Sequence, residues 1–189
     1  MRTALSLSLL VIVTCLAAAN TPAQKLPKSI YIQGNAMGTS TQLGRSASIT
    51  IIIQALSVPA DQKILIDAFK AKGNEGLVNA LSKMPSKGRI AITGTLGGDL
   101  AYIRKIPLPD GSVKLRLITN RLLRFGEVWA DTRSSDYELS AVEIVMSKHK
   151  GKSSGTLMPA TKLKVNKEGE TEIELFQFPW KLVNLRVRD

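Results

Sequence analysis

Apolar and polar residues alternate most cleanly in the last third of the chain. In Thr161–Leu175, Leu163 and Val165 alternate with Lys162 and Lys164, and Ile173 and Leu175 alternate with Glu172 and Glu174. A three-residue turn at Lys167-Glu168-Gly169, with Gly169 at positive φ, joins the two runs as a hairpin. It sets Lys164 opposite Glu172, Lys162 opposite Glu174 and Leu163 opposite Ile173. A two-residue turn would set Lys164 against Ile173 and put charge on the apolar face, so the longer turn is expected. The final stretch, Lys181–Arg188, predicts a strand with Val183, Leu185 and Val187 inside and Arg186 and Arg188 outside.

The same period continues upstream. Ile30-Tyr31-Ile32 opens the fold, and Ser48–Leu56, with Ile49, Ile51, Ile52 and Ile53, reads as a buried strand. Further strands are expected at Arg89–Thr95, Ala101–Leu108, Val113–Thr119, Glu127–Ala130, Glu138–Ser147 and Thr156–Val165. Gly97-Gly98, Pro109-Asp110-Gly111 and Gly151–Gly155 supply turns between them. Strands so close in sequence pair antiparallel, because parallel pairing needs a long crossover.

One stretch, at about 58–85, breaks to a helical period and predicts two short helices. Ser57 is the expected cap and Pro59 the first turn, with Ile64, Leu65, Ala68 and Phe69 on one face until Gly73. Asn74 then caps a second helix carrying Leu77, Ala80, Leu81 and Met84, which Pro85 ends. Such short helices must pack on the sheet to persist. The fold class is therefore α+β: a mostly antiparallel β-sheet, curled into a barrel or sandwich, with two short helices packed on it.

The first residues follow neither period. Arg2 precedes an uncharged apolar run through Leu16, and Ala17-Ala18-Ala19 supplies the small residues a signal peptidase selects. The strongly apolar core is about 12 residues, short of the ~20 that span a bilayer. The expected organisation is a signal peptide over 1–19, a flexible lead over 20–29 and one domain over 30–189, with no transmembrane segment after cleavage. That places the protein outside the cytoplasm, periplasmic or extracellular. Cys15, the single cysteine, lies within the apolar run behind Thr14, a poor match to a lipidation site. Cleavage after Ala19 removes it and leaves a domain without thiol chemistry.

Charge refines this picture. The chain carries 26 Lys and Arg against 15 Asp and Glu, a net charge of +11. Residues 20–120 hold 13 basic and five acidic side chains, and residues 121–189 hold 12 and 10. Such an excess favours anionic partners or serves solubility. Export and an aromatic content of 5% disfavour nucleic acid.

No motif announces catalysis. His149, the single histidine, sits among Lys148, Lys150 and Lys152 in an expected turn, with no second soft ligand for a metal. Gly94–Asp99 is glycine-rich but precedes a strand, not the helix a phosphate loop requires. Asp131, Asp136 and Glu138 lie near Trp129 and Tyr137, a composition compatible with a glycan site but more typical of a loop. Phe176, Phe178, Pro179 and Trp180 are expected to pack the end of the sheet. No residue is assigned to catalysis, a cofactor or a metal.

The layout of signal peptide, helical pair ending in Lys87-Gly88-Arg89-Ile90, and β-meander with turns such as Pro109-Asp110-Gly111 resembles an uncharacterised family of small exported bacterial proteins. That resemblance implies no activity and carries over no functional residue. The function expected is non-catalytic binding of a small apolar ligand or an envelope partner. The alternatives are an interaction module contacting anionic envelope polymers, and a hydrolase whose site is not visible in sequence.

Overall fold

A computed structural model describes residues 24–120, 139–149, 151–167, 171–175 and 178–188. The expected signal peptide, the Glu127–Ala130 strand and the acidic segment from Asp131 to Glu138 lie outside them. The described strands are β1 (Gln24–Met37), β2 (Ser46–Leu56), β3 (Gly88–Ile92), β4 (Gly98–Leu100), β5 (Tyr102–Pro107) and β6 (Val113–Thr119). They continue as β7 (Leu139–Met146), β8 (Ser154–Val165), β9 (Thr171–Leu175) and β10 (Trp180–Arg188).

All ten form one antiparallel sheet in the order β4-β3-β2-β1-β10-β8-β7-β6-β5, with β9 attached to β8. The sheet curls into a nearly closed barrel. Its two outermost strands are consecutive in sequence, separated by Ala101 alone, so one bent strand pairs with β3 on one side and β6 on the other. Ser57 reinforces this closure. Its N–H donates to the Ile103 carbonyl at 2.7 Å, and its Oγ accepts from the Ile103 N–H at 2.9 Å. A residue expected to cap a helix thus latches β2 to β5.

Strand alternation sends every second side chain inward. Ile32, Ile49, Ile51, Ile53, Ile90, Ile103, Leu115, Leu117, Val142, Ile144, Leu157, Trp180 and Leu182 fill the barrel interior. The opposite parity of β5–β8 is apolar only in part. Tyr102, Ile118, Ala141 and Met158 are register partners in one row across four strands, and all are buried. Helix α1 (Pro59–Lys83) covers this row with Leu65, Leu77 and Leu81.

The helical stretch is thus one helix, not the two expected. Gly73 breaks the regular backbone as its sequence implies, at φ 58° and ψ −140°, but no loop follows and the helix continues through a kink at Lys72–Gly73. The fold-back is tight: a Cβ on Gly76 would lie 2.1 Å from the Ala68 carbonyl oxygen. Asn74 does not cap. Its Oδ1 accepts the Leu163 N–H at 3.0 Å, tying the kink to β8. The helix is capped at its start by Asp61, whose Oδ2 accepts the Val58 N–H at 2.8 Å.

The β8–β9 register is the expected one: Lys162 opposes Glu174, Leu163 opposes Ile173 and Lys164 opposes Glu172. β1 begins at Gln24, inside the stretch expected to be a flexible lead. β10 departs from simple alternation. Gln33 pairs with Arg186 and Asn35 with Val183, so Gly34 faces both Asn184 and Leu185 in a β-bulge, with Asn184 at φ 53°. Val183 is consequently not an inward residue. Leu182 is buried before the bulge and Leu185 after it, and the shift by one position turns Arg186 and Arg188 outward.

Candidate functional site

The bulge completes a surface whose composition is one-sided. Strands β3, β2, β1 and β10 are neighbours in the sheet, and none of them contains Asp or Glu. Together they hold six cations: Lys25, Lys28, Arg89, Lys181, Arg186 and Arg188. Register defines rows of outward residues across them. One row runs Arg188, Tyr31, Ile52, Arg89, and the next Arg186, Gln33, Thr50, Ala91. Below these lie Val183, Asn35 and Ser48, then Lys181, Met37 and Ser46.

Arg89, Lys181, Arg186 and Arg188 are exposed, as are Gln33, Ser46 and Ser48. Tyr31 is 46% exposed and Met37 48%. The two are separated by the polar rows of Gln33 and Asn35, so they do not form one apolar patch. The nearest carboxylate in the sheet on the β3 side is Asp99 of β4, register partner of Arg89. The Arg89 guanidinium donates to the Leu96 carbonyl.

The helix-bearing side treats charge differently. In the row beyond the buried one, Arg104, Arg116, Glu143 and Thr156 are register partners. Glu143 accepts from Arg116 Nε at 2.7 Å and lies 3.7 Å from Lys114 Nζ. Lys87, only 1% exposed, sits with its Nζ 3.4 Å from Asp61 Oδ2. Tyr102 lies within this charge cluster. Burial pushes its phenol pKa above the ordinary value, Asp61 adds to that, and Arg104 and Arg116 oppose it, Arg104 through a hydrogen bond.

An open groove of about 360 Å³ runs beside the start of α1, lined by Ser57, Pro59, Gln62, Tyr102, Arg104 and Lys105 among others. Leu56, Val58 and Pro107 complete its lining, and no carboxylate lines it to pair with Arg104 or Lys105.

The sequence candidates scatter. His149 is exposed in the β7–β8 turn, where its N–H donates to Ser147 Oγ. Gly94 and Gly97 take positive φ in the β3–β4 turn, and a strand follows them. Asp110, in the β5–β6 turn, accepts from both the N–H and Oγ of Ser112, which hold its carboxyl below the usual range. Trp180 is buried in the barrel interior, whereas Phe178 is 54% exposed. No described helix is long and apolar enough to cross a membrane. No family model, curated protein or solved structure matches this chain.

Proposed function

We propose that the protein is a non-catalytic binding module acting outside the cytoplasm, and that its β3-β2-β1-β10 face holds an anionic envelope component. The observation that carries this reading is the absence of any carboxylate from four adjacent strands bearing six Lys and Arg. Charges of one sign on one surface add their potentials, attracting a polyanion and accelerating its encounter. The aliphatic side chains that fill the barrel interior favour a contact on the surface over an apolar ligand held within.

The test separates this face from net charge alone. Arg186→Gln with Arg188→Gln removes two cations from the face. Lys70→Gln with Lys72→Gln removes two from exposed positions on α1. On a polyphosphate resin, wild-type retention should fall as salt rises. The strand variant should elute well before the helix variant. Equal elution of the two variants, or retention insensitive to salt, would refute the proposal.

A further inference from the structure

Resting on that reading, we infer that the anion is an acidic polysaccharide, laid across β1 between the cations of β10 and the hydroxyl-bearing face of β2. The face offers more than charge. Gln33 and Asn35 on β1 and Ser48 and Thr50 on β2 are paired in register, Gln33 with Thr50 and Asn35 with Ser48. Amide and hydroxyl groups both donate and accept hydrogen bonds, whereas Lys and Arg only donate. A chain of bare phosphates or carboxylates presents acceptors and has no use for the protein's acceptors. A sugar chain presents hydroxyls that donate as well as accept, and so uses both.

Tyr31 adds a second element. The residue is 46% exposed and lies between its two register partners, Arg188 on one side and Ile52 on the other. An exposed aromatic ring with an apolar face and a polar tip can take the C–H face of a pyranose, while the neighbouring guanidinium takes its carboxylate or phosphate. A lipid surface fits less well. Membrane docking wants a contiguous apolar face at the interface, and here polar rows divide Tyr31 from Met37.

The experiment uses the full chain and four probes: polygalacturonate, its neutral methyl ester, polyglutamate of matched charge, and phosphatidylglycerol vesicles. Polygalacturonate should bind more tightly than polyglutamate, and esterification should abolish binding. Tyr31→Ala with Gln33→Ala should weaken polygalacturonate binding about fivefold or more, the order expected for lost neutral contacts, and leave polyglutamate binding and thermal stability unchanged. Equal affinity for both polyanions, with no effect of the Tyr31 variant, would overturn the saccharide inference while leaving the anion reading intact. Binding to vesicles alone would also overturn it. Binding to none of the anionic probes would bring down both.

Discussion

The barrel has a covered side and a bare one, and they handle charge by opposite rules. Under and around α1, cations sit against carboxylates: Lys87 with Asp61, and Arg116 and Lys114 with Glu143. Strands β3, β2, β1 and β10 carry no carboxylate of their own, and in the sheet only Arg89 has one opposite it, Asp99 of β4. The difference follows from desolvation. A charge taken from water must find a partner or destabilise the fold by several kcal/mol, whereas an exposed charge is tolerated alone because water and salt screen it. Pairing on the covered side is therefore accounted for by stability. One-sidedness on the bare side has no folding benefit, and the proposed polyanion contact gives it a use.

The largest effect is expected at Asp61. Asp61→Ala leaves the Lys87 ammonium buried without its carboxylate and removes the cap on Val58. Loss of a partner from a buried pair costs about 3–5 kcal/mol, measurable by denaturant unfolding. Combining Asp61→Asn with Lys87→Met should restore most of it. If the single variant unfolds like the wild type, the covered side does not depend on pairing and the contrast fails.

A smaller effect is expected on the bare side at Gly34. A Cβ there would lie 2.6 Å from Leu185 Cδ2 and 2.9 Å from the Val183 carbonyl oxygen. Gly34→Ala should cost about 1–3 kcal/mol through overpacking and should weaken polyanion retention by disturbing the presentation of Arg186. Normal stability with normal retention would show that the bulge does not shape this face.

The smallest effect concerns Tyr102. Its pKa is raised in the folded state, so folding favours the neutral phenol. That contribution is complete below the unfolded value near 10 and is lost as pH climbs through the higher folded value. Stability should therefore decline above about pH 10, and Tyr102→Phe should flatten that decline in a pH series of unfolding midpoints. An identical alkaline slope in the variant would remove Tyr102 from the account.

Local patterning made much of this fold legible. The β8–β9 register follows from the placement of Lys162, Leu163, Glu172 and Ile173, because a one-residue slip would bury charge. β6 spans Val113–Thr119, as its alternation indicates. What failed was whatever depends on distant partners. Ser57 looks like a cap because caps are local, yet its partner Ile103 lies far along the chain. Gly73 marks a break in helical geometry, but a break does not reveal whether a loop or a kink follows. Nothing local marks Lys87 as buried, because the group it meets, Asp61, comes from α1. The bare face was only half visible. Its acid-poor β1 and β2 lie in the strongly basic part of the sequence, but Lys181, Arg186 and Arg188 come from a nearly neutral part and join them only through the β1–β10 pairing.

Asn184 makes β10 a strand of two parities. Before it, odd-numbered positions such as Lys181 and Val183 point outward; after it, even-numbered ones, Arg186 and Arg188, do so. The two residues between Leu182 and Leu185 are one more than regular alternation allows between inward positions, and the bulge absorbs the extra one. Losing one residue there would give an unbroken strand with Leu185 still inward and Arg186 and Arg188 still outward. Keeping the length but pairing without the bulge would turn both arginines inward over the whole C-terminal half of the strand. The arginine face can thus be erased without altering a single arginine codon.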